Sequence, residues 1–136
     1  MRIFIDANIL ISGIVFEGNE REFLKKSISK EIQLVSSEDA INEVSKIIEM
    51  KFPEFINLYY ELLTILDIEI ISRKKYKNRI KDYTMIRDKN DRHILASAAE
   101  GKCGYIATGD KDLLVLIEYE NIKIVNVRSL MKSLNI

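Results

Sequence analysis

Short apolar runs rich in β-branched residues alternate with longer segments of helical periodicity along nearly the whole chain. The runs at residues 3–5, 32–35, 67–71, 104–107 and 122–125 read as buried strands. Strands that alternate with helices pair in parallel through crossover connections. The pattern therefore predicts a three-layer α/β/α sandwich with a five-stranded, mostly parallel sheet.

The intervening segments predict helices whose boundaries carry recognisable signals. One covers residues 21–29, one begins at Ser37, one begins at Pro53, and one begins at Asn90 or Asp91 and ends at Gly101. Two short helices are expected at residues 113–117 and 130–134. The 136 residues are expected to form one domain spanning positions 1–136, since a domain most often holds about 100–150 residues.

Composition narrows the class of protein. No apolar stretch approaches the ~20 residues that cross a bilayer, and no signal peptide is visible, so we expect a cytoplasmic protein without membrane contact. The single Cys103 excludes an internal disulfide. The net charge is zero, yet residues 73–92 carry nine basic and three acidic side chains, a local excess of +6. This segment is either a phosphate-binding face or a solvated Lys-rich helix or loop.

Four acidic residues fall where a parallel sheet places its ligands, beyond the carboxyl ends of the strands. Asp6 follows the first predicted strand and Asp110 follows the fourth. Asp91 opens the helix that leads into the fourth strand, and Glu43 lies on the helix after the second. Each has an ordinary alternative, because Asp91 and Asp110 can cap helices and Glu43 can face solvent. Together they predict one acidic cluster.

A cluster of carboxylates is costly without counter-charge, and a divalent cation removes that cost. Oxygen ligands favour Mg²⁺ or Mn²⁺, whereas zinc prefers His and Cys, of which the chain has one each. Four acids leave room for one or two metal ions, a water nucleophile and a phosphate. Paired ions would clamp the attacking and leaving oxygens of a phosphodiester.

Four ordered motifs resemble those of the PIN-domain family. The opening MRIFIDANILIS, the segment SSEDAINEV ending at Val44, the run DKNDRHILA from Asp88 and the run ATGDKDLL from Ala107 look like the family's first to fourth motifs. Lys89 and Arg92 flank Asp91, where the family often has more acids. This departure leaves open whether a second metal binds strongly without substrate.

The resemblance implies a metal-dependent ribonuclease that uses Mg²⁺ or Mn²⁺. Many single-domain members of the family are toxins of toxin–antitoxin pairs that cut RNA as homodimers and are inhibited by a small partner protein. Residue by residue, it implies that Asp6, Glu43, Asp91 and Asp110 are the catalytic, metal-binding acids. Asp112 and Asp88 are the supporting acids, and Asn8 and Thr108 are groups that hydrogen-bond to the ligands.

The expected reaction is attack of a metal-activated water on phosphorus. Basic side chains near this site are expected to contact the RNA backbone. They are Lys74, Lys75, Lys77, Arg79, Lys89 and Arg92. Tyr76 and Tyr83 either stack on unpaired bases or, as is commoner, lie against the sheet. His93 is expected to be a surface or interface residue rather than a general acid. An apolar stripe from Leu58 to Leu66 is a dimer or antitoxin surface or an ordinary core helix.

Rival functions on similar folds fit less well. A phosphoacceptor receiver needs an acid pair after its first strand, a haloacid-type phosphatase needs Asp where Asn8 stands, and a dinucleotide site needs a Gly-rich turn. The serious alternative is a non-catalytic RNA- or protein-binding module on the same fold.

Overall fold

The structure, a computed structural model, describes residues 1–136. Six strands form one sheet in the order β3-β2-β1-β4-β6-β5. Their bounds are β1 Arg2–Ile5, β2 Gln33–Ser37, β3 Glu69–Ile71, β4 Tyr105–Ala107, β5 Glu118–Tyr119 and β6 Ile122–Val125. All neighbouring pairs are parallel except β5 with β6.

Helices cover both faces of the sheet. One face carries α1 (Ala7–Val15), α2 (Asn19–Ile28), α3 (Glu38–Lys51), α4 (Ile56–Leu66, after a 3-10 turn at Pro53–Phe55) and α8 (Val127–Leu134). The other carries α5 (Arg73–Tyr76), α6 (Arg92–Glu100), α7 (Lys111–Leu114) and 3-10 turns at Lys77–Asp82 and Lys89–Asp91. The three predicted layers are confirmed. None of these helices is long and apolar enough to span a membrane.

The central strand β1 shows how the sequence builds two cores. Successive side chains of a strand point to opposite faces, so Ile3 and Ile5 pack under α1 and α3 while Phe4 packs under α6. All three are fully buried. Because helices cover both faces, β1 is continuously apolar rather than alternating.

The predicted strand count of five was wrong by one edge strand. The five parallel strands occur where expected, but β5 pairs with β6 in an antiparallel hairpin. Glu120 and Asn121 form its two-residue turn with φ of 51° and 66°, which is the positive-φ geometry of a type I′ turn. The predicted helix at 113–117 is accordingly shorter: α7 ends at Leu114, and the next residues lead into the hairpin.

Helix boundaries near the sheet edge follow the predicted signals. The Ser37 hydroxyl accepts a 3.0 Å hydrogen bond from the Ala40 N–H and starts α3, and Gly101 terminates α6. The helix α1 was not predicted. Its sequence ANILISGIV is apolar on nearly every side, so it has little amphipathic period, and six of its nine residues are buried.

Candidate metal centre

Two of the predicted acids lie at the same edge of the sheet because their strands are neighbours. Ile5 at the end of β1 pairs with Ala107 at the end of β4, and the Asp6 N–H donates to the Ala107 carbonyl at 3.1 Å. Asp6 therefore lies at the carboxyl edge of the sheet, and Asp110 follows the adjacent strand at the same edge. The Asp6 residue is only 5% exposed, although it carries a carboxyl group.

Thr108 joins these two acids. Its buried hydroxyl donates a 2.7 Å hydrogen bond to Oδ2 of Asp6, and its oxygen accepts a 3.0 Å bond from the Asp110 N–H. One side chain thus orients the Asp6 carboxylate and fixes the backbone from which Asp110 projects. This is the placement expected for a residue that hydrogen-bonds to a metal ligand.

Two further carboxylates, those of Asp91 and Asp112, converge with that of Asp110. Asp91, Asp110 and Asp112 each offer an oxygen, and these oxygens lie within 4.8 Å of one another. Asp91 stands at the N-terminus of α6 but its side chain makes no capping hydrogen bond there. Asp110 does cap α7, accepting a 2.9 Å bond from the Asp112 N–H. Capping therefore accounts for part of the role of Asp110 but does not account for Asp91.

The electrostatics of the cluster disfavour full ionisation. Partial burial raises the pKa of Asp91 to about 7, with further contributions from a hydrogen bond to Asp110 and from the charges of Asp110, Asp88 and Asp6. Burial also raises the pKa of Asp6, and the charge of Asp110 adds to this while the Thr108 hydrogen bond opposes it. Partial desolvation and then the charge of Asp6 raise the pKa of Glu43. Glu43 is thus an exposed acid of α3 within electrostatic range of the buried one.

The donor set suits a hard divalent cation. Every convergent group is a carboxylate, which matches the preference of Mg²⁺ and Mn²⁺ for oxygen. The nearby compensating cation is Arg87, whose Nη2 lies 3.0 Å from Oδ1 and 3.2 Å from Oδ2 of Asp112. The Arg87 side chain is 85% exposed, so solvent screens its charge and the cluster keeps a negative electrostatic potential.

Two of the expected supporting residues lie at the margin. Asp88 is exposed, and its Oδ1 accepts a 2.9 Å bond from the Asn90 N–H, which starts the 3-10 turn before α6. Its charge reaches Asp91, but it is outside the group of converging oxygens. Asn8 is exposed on the first turn of α1.

Comparison with known proteins now places the chain. Residues 2–112 match the family model described as the PIN domain. This chain belongs to the PIN-domain family. Among solved structures, FitAcB from Neisseria gonorrhoeae shares the fold with a TM-score of 0.64 and 17% sequence identity, over 93% of this chain and 98% of that one. No curated protein sequence matches.

The basic residues of this PIN domain have different partners and surroundings. Lys89 lies beside the acidic cluster, one residue from Asn90 and two from Asp91. The Arg92 Nε donates to the Ile86 carbonyl at 3.1 Å, which ties down the preceding loop. Arg79 lies 3.3 Å from Glu100, and Lys75 lines a cavity at the amino edge of the sheet that also includes Arg2 and Glu69. Lys74 and Lys77 are exposed on the intervening segment.

The tyrosines of the basic segment pack inside the PIN domain. Tyr76 is fully buried and Tyr83 is 2% exposed, so neither ring is available for stacking on a base. The Tyr76 hydroxyl instead donates a 2.7 Å bond to Oδ2 of Asp39. Burial and the adjacent carboxylate raise the pKa of Tyr76 to about 12.

A polar cavity that the sequence did not reveal adjoins the metal centre. It has a volume of about 320 Å³ and is lined by Asp39, Arg73, Ile80, Lys89, Asn90 and His93. His93 is half-buried rather than a surface residue, and its Nδ1 is buried with no hydrogen-bond partner. The only advance signal was the basic run that begins at Arg73.

The apolar stripe on α4 is partly buried in the core and partly exposed. Tyr59 and Leu66 are buried in the core, whereas Leu58 and Tyr60 are 40% and 53% exposed. A groove of about 240 Å³ runs between α1, α2 and α4. Its apolar lining comes from Ile14, Leu24, Ile28, Leu58, Leu62 and Leu66.

Proposed function

We propose that this PIN-domain protein is an endoribonuclease that uses Mg²⁺ or Mn²⁺ to hydrolyse RNA phosphodiester bonds. The observation that carries the proposal is the convergence of oxygens from Asp91, Asp110 and Asp112 beside the buried Asp6. Helix capping and solvent exposure alone do not explain why so many carboxylates lie at one edge of the sheet, because each carboxylate raises the free-energy cost of ionising the others.

The chain's own residues supply the geometry of the reaction. Asp6, Asp91 and Asp110 would hold the cation, with Asp112 and the exposed Glu43 completing the oxygen shell. When bound, a divalent cation lowers the pKa of water and offsets charge that develops on the phosphate. Thr108 keeps Asp6 in one orientation, and its bond to the Asp110 backbone couples the two ligands. Because these carboxylates are held at the sheet edge in this way, they would need little reorganisation when the cation and the substrate phosphate bind.

Single-stranded RNA cleavage tests this proposal directly. Wild-type protein is assayed with Mg²⁺, with Mn²⁺ and with EDTA, beside the variants Asp6→Asn and Asp91→Asn. Asp82→Asn is the matched control, since Asp82 is an exposed acid on the 3-10 turn outside the cluster. We expect metal-dependent cleavage by wild type and Asp82→Asn, and a loss of at least about a hundredfold in both cluster variants.

Two outcomes contradict the proposal. Cleavage that survives EDTA or persists in Asp6→Asn points to a contaminating nuclease. RNA binding without metal and without cleavage supports the non-catalytic binding module.

We further propose that the protein is the toxin of a toxin–antitoxin pair, acting as a homodimer. This rests on the resemblance to single-domain PIN toxins, and the exposed apolar groove of α1, α2 and α4 is compatible with a protein partner. Induced expression in a bacterial host should arrest growth, and Asp6→Asn should not. The adjacent gene should encode a small protein that restores growth when co-expressed, and light scattering should report twice the chain mass.

A further inference from the structure

The polar cavity beside the metal centre has the features of a small ligand subsite. At about 320 Å³ it reaches the lower end of small-molecule pockets, about 300–1,000 Å³. Five of its six lining residues are polar or charged. Asn90 directly precedes the cluster acid Asp91, and His93 follows it by two residues in the first turn of α6. A ligand in this cavity is therefore a neighbour of whatever occupies the metal centre.

The lining offers hydrogen-bond groups that the fold leaves unused. The Lys89 side chain forms no ion pair, and the backbone rather than the side chain of Asn90 bonds to Asp88. The Asp39 carboxylate receives Arg73 and Tyr76 on Oδ2, so Oδ1 remains available.

Charge argues for a base rather than a phosphate in this cavity. An anion would meet the cations Arg73 and Lys89, but also the carboxylate of Asp39, which already pairs with Arg73. A ligand that presents both acceptors and donors satisfies the whole lining. Guanine presents O6 and N7 as acceptors on one edge, which suit Arg or Lys, and two N–H donors on the adjacent edge, which suit a carboxylate.

From this arrangement we propose that the cavity is a nucleotide subsite that takes one unpaired guanine next to the scissile phosphodiester. The proposal rests on the ribonuclease function proposed above and deepens it to a base preference. Arg73 and Lys89 face the acceptor edge, Asp39 faces the donor edge, Asn90 completes the polar contacts, and His93 forms part of the wall. These residues determine which phosphodiester reaches the metal centre.

Mapping of cleavage sites in a random-sequence RNA pool tests the subsite. Wild type is compared with Asn90→Ala and Lys89→Ala, and the matched controls are Asn57→Ala and Lys132→Ala, both exposed and outside the cavity. We expect wild-type and control sites to share guanine at one fixed position, with roughly tenfold enrichment. In the two cavity variants the enrichment should collapse, so that the cleavage sites that remain share no base at that position.

A second measurement separates the failure of this proposal from failure of the nuclease function. Fluorescence anisotropy of a short single-stranded RNA on the Asp6→Asn protein compares guanosine with inosine, which lacks the 2-amino donor. Weaker binding of inosine, with the difference lost in Asp39→Asn, supports the subsite even if no cleavage is found. Cleavage without guanine enrichment, or an enrichment that Asn90→Ala and Lys89→Ala leave intact, overturns the subsite and leaves the nuclease standing. Equal binding of guanosine and inosine likewise overturns it.

Discussion

The Thr108 hydroxyl donates a 2.7 Å hydrogen bond to the Asp6 carboxylate across 102 residues of sequence. Both side chains are buried, and the bond opposes the burial that raises the pKa of Asp6. A threonine after one strand thereby controls how readily the acid after the neighbouring strand becomes an anionic ligand. The pairing of β1 with β4 creates this contact.

Replacement of Thr108 should weaken metal binding without removing any proposed ligand. Thr108→Val keeps the shape but leaves Asp6 without its donor, so the pKa of Asp6 should rise further and Mn²⁺ affinity should fall about tenfold to a hundredfold. Thr108→Ser retains the hydroxyl and should stay close to wild type. Isothermal titration with Mn²⁺ measures both. Equal affinities for the Val and Ser variants would show that the hydroxyl has no influence on the site.

Asp91→Asn should stabilise the metal-free protein above neutral pH. The folded-state pKa of Asp91 is about 7 against an ordinary value of 3.8, so its favourable contribution is complete below about pH 4 and is lost as pH rises through 7. At pH 8 the variant should exceed wild type by about 1–2 kcal/mol in unfolding free energy, less than the whole shift implies because the side chain is partly exposed.

Urea denaturation in EDTA at pH 4.5 and pH 8 provides the measurement. The difference between the two proteins should be smaller at the lower pH, where Asp91 is protonated in the fold. A variant that is less stable than wild type at pH 8 would contradict the unfavourable electrostatics assigned to Asp91.

How much of the structure can be predicted from the sequence depends on how far apart along the chain the interacting residues lie. The parallel strands, the cap at Ser37 and the helix end at Gly101 follow from local patterns, and the structure contains them. The placement of Asp6 and Asp110 at one edge follows from the rule for parallel sheets. The hairpin edge strand was missed because positive φ at Glu120 and Asn121 is not marked by glycine.

Contacts between distant side chains are the part that periodicity does not encode. The ion pair of Arg73 with Asp39 joins segments 34 residues apart, and it converts one basic residue of an apparent phosphate-binding run into a wall of the polar cavity. Arg79 is likewise paired with Glu100. A count of charges along residues 73–92 therefore overstates the continuous basic surface.

Arg87 should act as a weak competitor of the metal ion. Its guanidinium contacts Asp112, one of the converging carboxylates, and its side chain is 85% exposed. Arg87→Gln removes a positive charge beside the cation site and should raise Mn²⁺ affinity by about two- to threefold at low salt, with the gain shrinking as salt screens the charge. Titrations at two ionic strengths test this. Arg128→Gln, on α8 and outside the cluster, should leave the affinity unchanged.

Metal binding should become stronger with pH up to about neutrality. Since Asp91 has a pKa of about 7, a cation at the cluster must displace a proton below that pH, and affinity should fall about tenfold for each unit of further acidification. A cation that binds only the folded chain also stabilises it by RT ln(1 + c/Kd), where c is the free cation concentration, so tighter binding gives more stabilisation. The Tm increase at a fixed Mg²⁺ concentration should therefore be larger at pH 7.5 than at pH 6, and EDTA should abolish it at both.

Asp91→Asn should show a smaller increase with a weaker pH dependence, whereas Asp82→Asn should behave as wild type. A Tm increase that does not vary with pH would mean that Asp91 is not among the groups that bind the metal.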